Sequence, residues 1–295
     1  MNKHTLFTGS ATAIVTPFRD GGIDYEAFGS LIDFQIENKT DALVVLGTTG
    51  ESATVSESER YEIIAFAKRR IDKRVPLIVG SGTNNTQVSI RYSKSAQRQG
   101  ADGLLIVTPY YNKTTERGLI EHYSMIAKSV DVPIILYNVP SRTGVNIPIS
   151  VYKALSTIEN IVGIKEASGN ISYTAEILQA CHDRYDIYSG CDDLVLPILS
   201  LGGKGVISVV SNIIPEIMHT LCHEFLSGSI KKATEIQLHI MMLIKEMFQE
   251  VNPIPIKTAL ALMGKCQNEL RLPLCQSTRA DAIETILKQY NLINR

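Results

Sequence analysis

Eight short runs of aliphatic and β-branched residues punctuate the chain, at Ala11–Val15, Ala42–Leu46, Leu77–Val79, Gly103–Val107, Ile134–Tyr137, Val162–Lys165, Ile187–Ser189 and Gly205–Val209. Roughly 20 to 35 residues separate most successive runs, the length needed for a strand, a crossover helix and two short loops. Several runs are apolar throughout rather than alternating, as strands are when both faces of a parallel sheet are covered. Helical signals fill the gaps. Ser56-x-x-Glu59 has the pattern of a capping box, and Ile63, Ile64, Ala67 and Ile71 then recur on one face. Eight such units over about 220 residues predict an α/β fold, a (β/α)8 TIM barrel, better than a doubly wound sheet. No G-x-G-x-x-G follows the first run, so the dinucleotide-binding version of the latter has no support. Beyond Pro215 only helical patterns remain, at Ile217–Leu226, Ile230–Glu250, Ile256–Met263 and Arg279–Gln289. The expected organisation is a barrel over residues 1–224 and a C-terminal helical extension over residues 225–295.

Charge narrows the function classes. Among 295 residues, 29 Lys and Arg face 30 Asp and Glu, a net charge of -1. A nucleic-acid surface needs a basic excess to displace counterions, so no nucleic-acid partner is expected. No run approaches the roughly 18 apolar residues that span a bilayer, and Met1–Ser10 lacks an apolar signal core. The five cysteines are odd in number and form no C-x-x-C pair, which reads as reduced, packed thiols in a cytoplasmic protein.

In a TIM barrel the chemistry sits in the loops that follow the strands. Those positions hold Gly47-Thr48-Thr49-Gly50-Glu51, Pro109-Tyr110-Tyr111-Asn112-Lys113, Tyr137 through Gly144, and Lys165-Glu166-Ala167-Ser168-Gly169. Lys165 closes the apolar run Ile161–Ile164, so its amine is expected at the dry mouth of the barrel. Desolvation there disfavours the ammonium and frees an amine for a carbonyl substrate. Taken alone, a strand-end lysine more often snorkels to solvent. Lys204 is the competing amine, but Gly202-Gly203-Lys204-Gly205 precedes its strand and belongs to the opposite end. Tyr137 could pass protons, and Arg142 could clamp a carboxylate through paired N–H groups. Individually, they read as a core aromatic and a surface arginine. Tyr110-Tyr111 reads more readily as an interface surface than as a relay. The Gly47–Gly50 loop offers backbone N–H groups beside two hydroxyls, suited to a small carboxylate. Glu51 is expected to be a buried anchor for that loop. His219 and His223 have helix-ligand spacing, yet the surrounding helices supply no acidic third ligand. No metal is therefore expected.

The order of these clusters is more specific than any one of them. GTTGE, PYYNK, YNVPSRTG and IKEASG, with Tyr188-Ser189-Gly190, Gly205-Val206-Ile207-Ser208 and Pro253-x-Pro255-x-Lys257, resemble the dihydrodipicolinate synthase family from Gly9 through Pro273. The resemblance implies a homo-oligomer, usually a dimer of dimers, that condenses pyruvate with L-aspartate 4-semialdehyde on the route to diaminopimelate and lysine. It implies no cofactor. Lys165 would be the Schiff-base lysine and Tyr137 the proton donor and acceptor. Thr48 would link Tyr137 to Tyr111 of a neighbouring subunit. Thr49 and the main chain of Ile207 would hold pyruvate, and Arg142 the carboxylate of the semialdehyde. N-acetylneuraminate lyase and 2-keto-3-deoxygluconate aldolase share the fold and lysine. The second tyrosine at Tyr111, the first threonine of GTTGE and Arg142-Thr143-Gly144 favour the synthase over both. Lysine-inhibited relatives bind the effector in surroundings like Ser52, Ala53, Asn84 and Tyr110. Here Glu57 and Arg60 stand where such relatives place histidines, and Val88 where they place a glutamate. Weak or absent feedback by lysine is expected.

Overall fold

The computed structural model describes residues 5–181 and 184–294. Eight parallel strands close a barrel: β1 (Gly9–Ala13), β2 (Ala42–Val45), β3 (Leu77–Gly80), β4 (Gly103–Val107), β5 (Ile134–Asn138), β6 (Ile161–Glu166), β7 (Asp186–Ser189) and β8 (Gly205–Ser208). Every strand pairs with its neighbours in sequence, and β8 returns to β1 with Gly9 opposite Gly205. The outer ring holds α1 (Tyr25–Glu37), α2 (Glu57–Ile71), α3 (Thr86–Arg98), α4 (Glu116–Ala127), the single turn α5 (Pro140–Thr143), α6 (Ile149–Leu155), α7 (Ile171–Cys181), α8 (Val195–Ser200) and α9 (Pro215–Leu226). A short hairpin pairs Phe18–Arg19 with Gly22–Ile23. Ser56 caps α2 with the reciprocal Glu59 bond that its spacing predicts.

Two apolar layers follow from strand alternation. Inward residues such as Ala11, Ala13, Ala42, Val44, Ile78 and Ile135 fill the barrel, while Leu43, Val45, Leu104, Leu136 and Ile164 pack outward against helices. This is why the strands read as unbroken apolar runs. The first strand lies two residues earlier than the pattern predicts. Its ladder uses the small run Gly9–Ala13, which fits a narrow interior, and the Val15 N–H instead donates to the Asn212 side chain at 3.2 Å.

Strand tilt makes each paired row climb around the barrel. One row runs Tyr137–Lys165–Tyr188–Gly205, from the penultimate residue of β5 to the first of β8. Tyr188 therefore sits deep. Its ring stacks on Phe7 with centres 4.2 Å apart, and its hydroxyl donates to the Phe7 carbonyl at 2.7 Å. Tyr137 and Lys165 are left near the mouth.

Three further helices follow the ring: α10 (Ile230–Met247), α11 (Ile254–Leu262) and α12 (Ala280–Gln289). The chain around them returns to the barrel. Gln237 donates to the Asp192 carbonyl at 3.1 Å, and Arg271 bonds Glu59 at 2.8 Å. Among the described residues no helix is long and apolar enough to cross a membrane.

Candidate active site

Alternation along β5 and β6 sends Tyr137 and Lys165 into the barrel and Asn138 and Glu166 out of it. Lys165 is only 5% exposed, and its Nζ lies 4.4 Å from the centre of the Tyr137 ring. Among the described residues no carboxylate comes within ion-pair range of that nitrogen. On the outer side, Asn138 Nδ2 donates to Glu166 Oε2 at 2.9 Å. The Ser168 N–H donates to Glu166 Oε1 at 2.6 Å, and the Ile147 N–H to Asn138 Oδ1 at 3.1 Å. These bonds fix both strand ends from behind. Burial pushes the Glu166 carboxyl above its usual range, while the bonds from Ser168 and Asn138 pull it back. Gly190 leaves space for the lysine, since a Cβ there would lie 3.1 Å from Lys165 Cε and 2.6 Å from the Ala167 Cβ.

The loop after β2 is held in an uncommon conformation. Leu46 and Glu51 have φ of 56° and 51°, in the left-handed region that side chains seldom occupy. Glu51 secures it as the sequence predicts. Its Oε1 accepts from Lys257 Nζ at 2.6 Å with both side chains fully buried, and its Oε2 accepts from the Arg271 N–H at 3.1 Å. Lys257 also donates to the Glu269 carbonyl at 2.7 Å and sits 4.0 Å from the Phe18 ring centre.

Asn252, between α10 and α11, links the predicted residues on two loops. Its Nδ2 donates to Thr49 Oγ1 at 3.0 Å, and its carbonyl accepts from the Arg142 guanidinium at 3.0 Å. Its Oδ1 is buried and accepts no hydrogen bond from the described residues. A cleft of about 430 Å³ opens here, bordered by Thr48, Tyr110, Val139, Arg142 and Asn252. Asn252 escaped the sequence reading because its role rests on contacts more than a hundred residues away. The only signal was its place beside the Pro253-x-Pro255-x-Lys257 motif.

The other predicted residues fall in three places. Ile207 is fully buried in the barrel wall on β8. Lys204 lies at the opposite end, where its carbonyl accepts from the Gly9 N–H at 2.9 Å. Tyr111 is not brought to the cleft of its own chain. It is 93% exposed and holds φ of 68°, on a loop that points its ring into solvent. In the neighbouring region, Glu57 accepts from Arg91 at 2.9 and 3.0 Å. Arg60 is buried with its guanidinium 4.3 Å from the Tyr92 ring centre.

This architecture has known counterparts. A sequence model described as the dihydrodipicolinate synthetase family matches residues 6–290. The chain belongs to that family. It is 52% identical over 272 residues to the 4-hydroxy-tetrahydrodipicolinate synthase of Clostridium tetani, covering 92% of each chain. The solved dihydrodipicolinate synthase of Thermotoga maritima superposes with a TM-score of 0.96 at 43% identity, over 98% of this chain and 100% of that one. The chloride-inhibited dihydrodipicolinate synthase of Acinetobacter baumannii, solved with pyruvate, superposes with a TM-score of 0.95 at 39% identity, over 98% and 100%. These matches extend over both the barrel and the helices that follow it.

Proposed function

We propose that this chain is a 4-hydroxy-tetrahydrodipicolinate synthase, a lyase that joins pyruvate to L-aspartate 4-semialdehyde on Lys165. The observation that carries the reading is the buried Lys165 amine, which meets the face of Tyr137 and, among the described residues, forms no ion pair. A lysine amine at that position can add to a substrate carbonyl and carry it as an imine. The names borne by its relatives support the same assignment.

The Lys165 nitrogen adds to C2 of pyruvate, and the carbonyl oxygen leaves as water with protons delivered by Tyr137. The iminium draws electrons from the methyl carbon, which loses a proton to give an enamine. That carbon attacks the aldehyde of the semialdehyde, whose oxygen becomes the hydroxyl of the product. The semialdehyde's own amine then displaces Lys165 from C2 and closes the ring, so one water is released overall. Thr49 and the main chain of Ile207 hold the pyruvate carboxylate. Arg142, braced by the Asn252 carbonyl, takes the carboxylate of the second substrate. Thr48 passes protons between Tyr137 and a Tyr111 supplied by another subunit. The exposure of Tyr111 in a single chain supports that exchange. In this reading the enzyme is a cytoplasmic dimer of dimers. Residues 1–224 carry the chemistry, and residues 225–295 position it through Asn252 and Lys257.

Reduction with borohydride in the presence of pyruvate tests the assignment. One pyruvate-derived increment on the peptide containing Lys165 is expected. Trapping on Lys204 or Lys257, or none in a fully active sample, would overturn it.

A further inference from the structure

We propose that Asp41, His219 and His223 form a zinc site at the end of the barrel opposite Lys165. The two histidines lie one turn apart on α9, and their rings stack with centres 3.9 Å apart. The helix sequence supplies no third ligand, but the fold does. Asp41, just before β2, places Oδ2 3.0 Å from His219 Nδ1 and Oδ1 3.2 Å from His223 Nε2. All three groups offer ligand atoms within 4.8 Å of one another.

Those separations fit a metal as well as they fit hydrogen bonds. A tetrahedral zinc with bonds of about 2.0–2.1 Å spaces its ligand atoms roughly 3.3–3.4 Å apart, within a few tenths of an ångström of the two carboxylate–imidazole separations. The carboxylate is held ready. The Ser10 N–H donates to Asp41 Oδ2 at 2.7 Å, the kind of outer bond that orients a ligating carboxylate. Gly9 makes the approach possible, since a Cβ there would lie 2.2 Å from that oxygen. Without metal, each ring donates an N–H to the carboxylate. Binding needs only that the proton leave the ligating nitrogen and the other ring nitrogen take one from water, with no net change for a neutral imidazole.

The ligand set favours a nitrogen-binding divalent metal. Two imidazoles and one carboxylate suit zinc, whereas magnesium and calcium favour oxygen alone. The side chain of His223 is 52% exposed, which leaves an entry path and a coordination position for water. The site joins α9 to the loop before β2, beside the seam where β1 meets β8. Its role is to pin that seam, and it takes no part in the chemistry at Lys165.

The test uses the full-length protein stripped with chelator and titrated with Zn²⁺, with Co²⁺ as a spectroscopic probe. One ion per chain is expected, with a raised unfolding temperature and a Co²⁺ spectrum of four-coordinate intensity. His223→Gln, half-exposed and able to keep a hydrogen bond to Asp41, should weaken binding at least tenfold and abolish the thermal shift. His223→Cys should restore binding and add a thiolate charge-transfer band to the Co²⁺ spectrum. No saturable binding by about 100 µM Zn²⁺ overturns the proposal. So does affinity unchanged in a folded His223→Gln protein.

Discussion

Two buried lysines mark two regions of this molecule with opposite habits. At the junction between the β2 loop and the C-terminal helices, Lys257 has a carboxylate at 2.6 Å and a carbonyl at 2.7 Å. Burial lowers its hold on its proton, and Glu51 restores part of it. At the mouth of the barrel, Lys165 is nearly as buried, lies against the face of Tyr137, and forms no ion pair among the described residues. Burying a charge is costly unless it is paired and hydrogen-bonded. Lys257 meets that condition and serves structure. Among the described residues Lys165 forms no such ion pair, and its nitrogen faces the Tyr137 ring instead.

The comparison breaks if the two lysines respond alike. Lys165→Ala should cost about 10⁴-fold or more in kcat, since no other group replaces a covalent nucleophile. Mixing that variant with inactive Tyr111→Phe chains should restore activity in hybrid oligomers, where one site regains both groups. Failure to recover despite hybrid formation would place Tyr111 outside its neighbour's site. At the other lysine, Glu51→Gln should destabilise by about 3–5 kcal/mol, because removing one partner strands a buried charge. Chemical denaturation measures that loss, and a value under 1 kcal/mol would end the structural reading of the pair.

A smaller effect concerns the tie between Arg271 and α2. The Arg271 hydrogen bonds hold the Glu59 carboxyl down, from its ordinary 4.5 to about 2, against the opposing effect of burial. Its folded value is depressed, so its stabilisation is complete above 4.5 and is lost as the pH falls from there towards 2. Glu59→Gln should flatten the acid side of the stability profile in that window, as measured by urea unfolding at a series of pH values. The smallest expected effect is on regulation. Glu57 is engaged by Arg91, Val88 offers no charge, and the buried Arg60 guanidinium opposes an incoming ammonium. Millimolar L-lysine at limiting pyruvate should change the rate less than twofold, and saturable inhibition below that concentration would show that the pocket accepts it.

The barrel and the buried place of Lys165 at a strand end were legible because both depend on local pattern. Continuous apolar strands, capped helices and a lysine at the end of a dry run are properties of neighbouring residues. The first strand begins ahead of the most apolar stretch because a narrow interior selects the small residues Gly9–Ala13 over the larger ones that follow. Asn252 and Asp41 were not legible for a different reason. Asn252 meets Thr49 across 203 positions, and Asp41 meets His219 across 178. No periodicity announces a partner at such distance. Glu51 falls between these cases, since its need for burial could be read but Lys257 as its partner could not.

The pairing of Gly9 with Gly205 has a consequence for how the protein is made. A ribosome releases the first strand of the ring long before the strand that closes it. Until β8 emerges, the nascent sheet has two open edges, each presenting backbone groups that another chain could pair with. The loop that braces Arg142 emerges later still. The period of greatest exposure to misassembly during synthesis therefore precedes the first moment at which the enzyme can work, and chaperone demand should fall sharply once residues beyond Ser208 have cleared the exit tunnel.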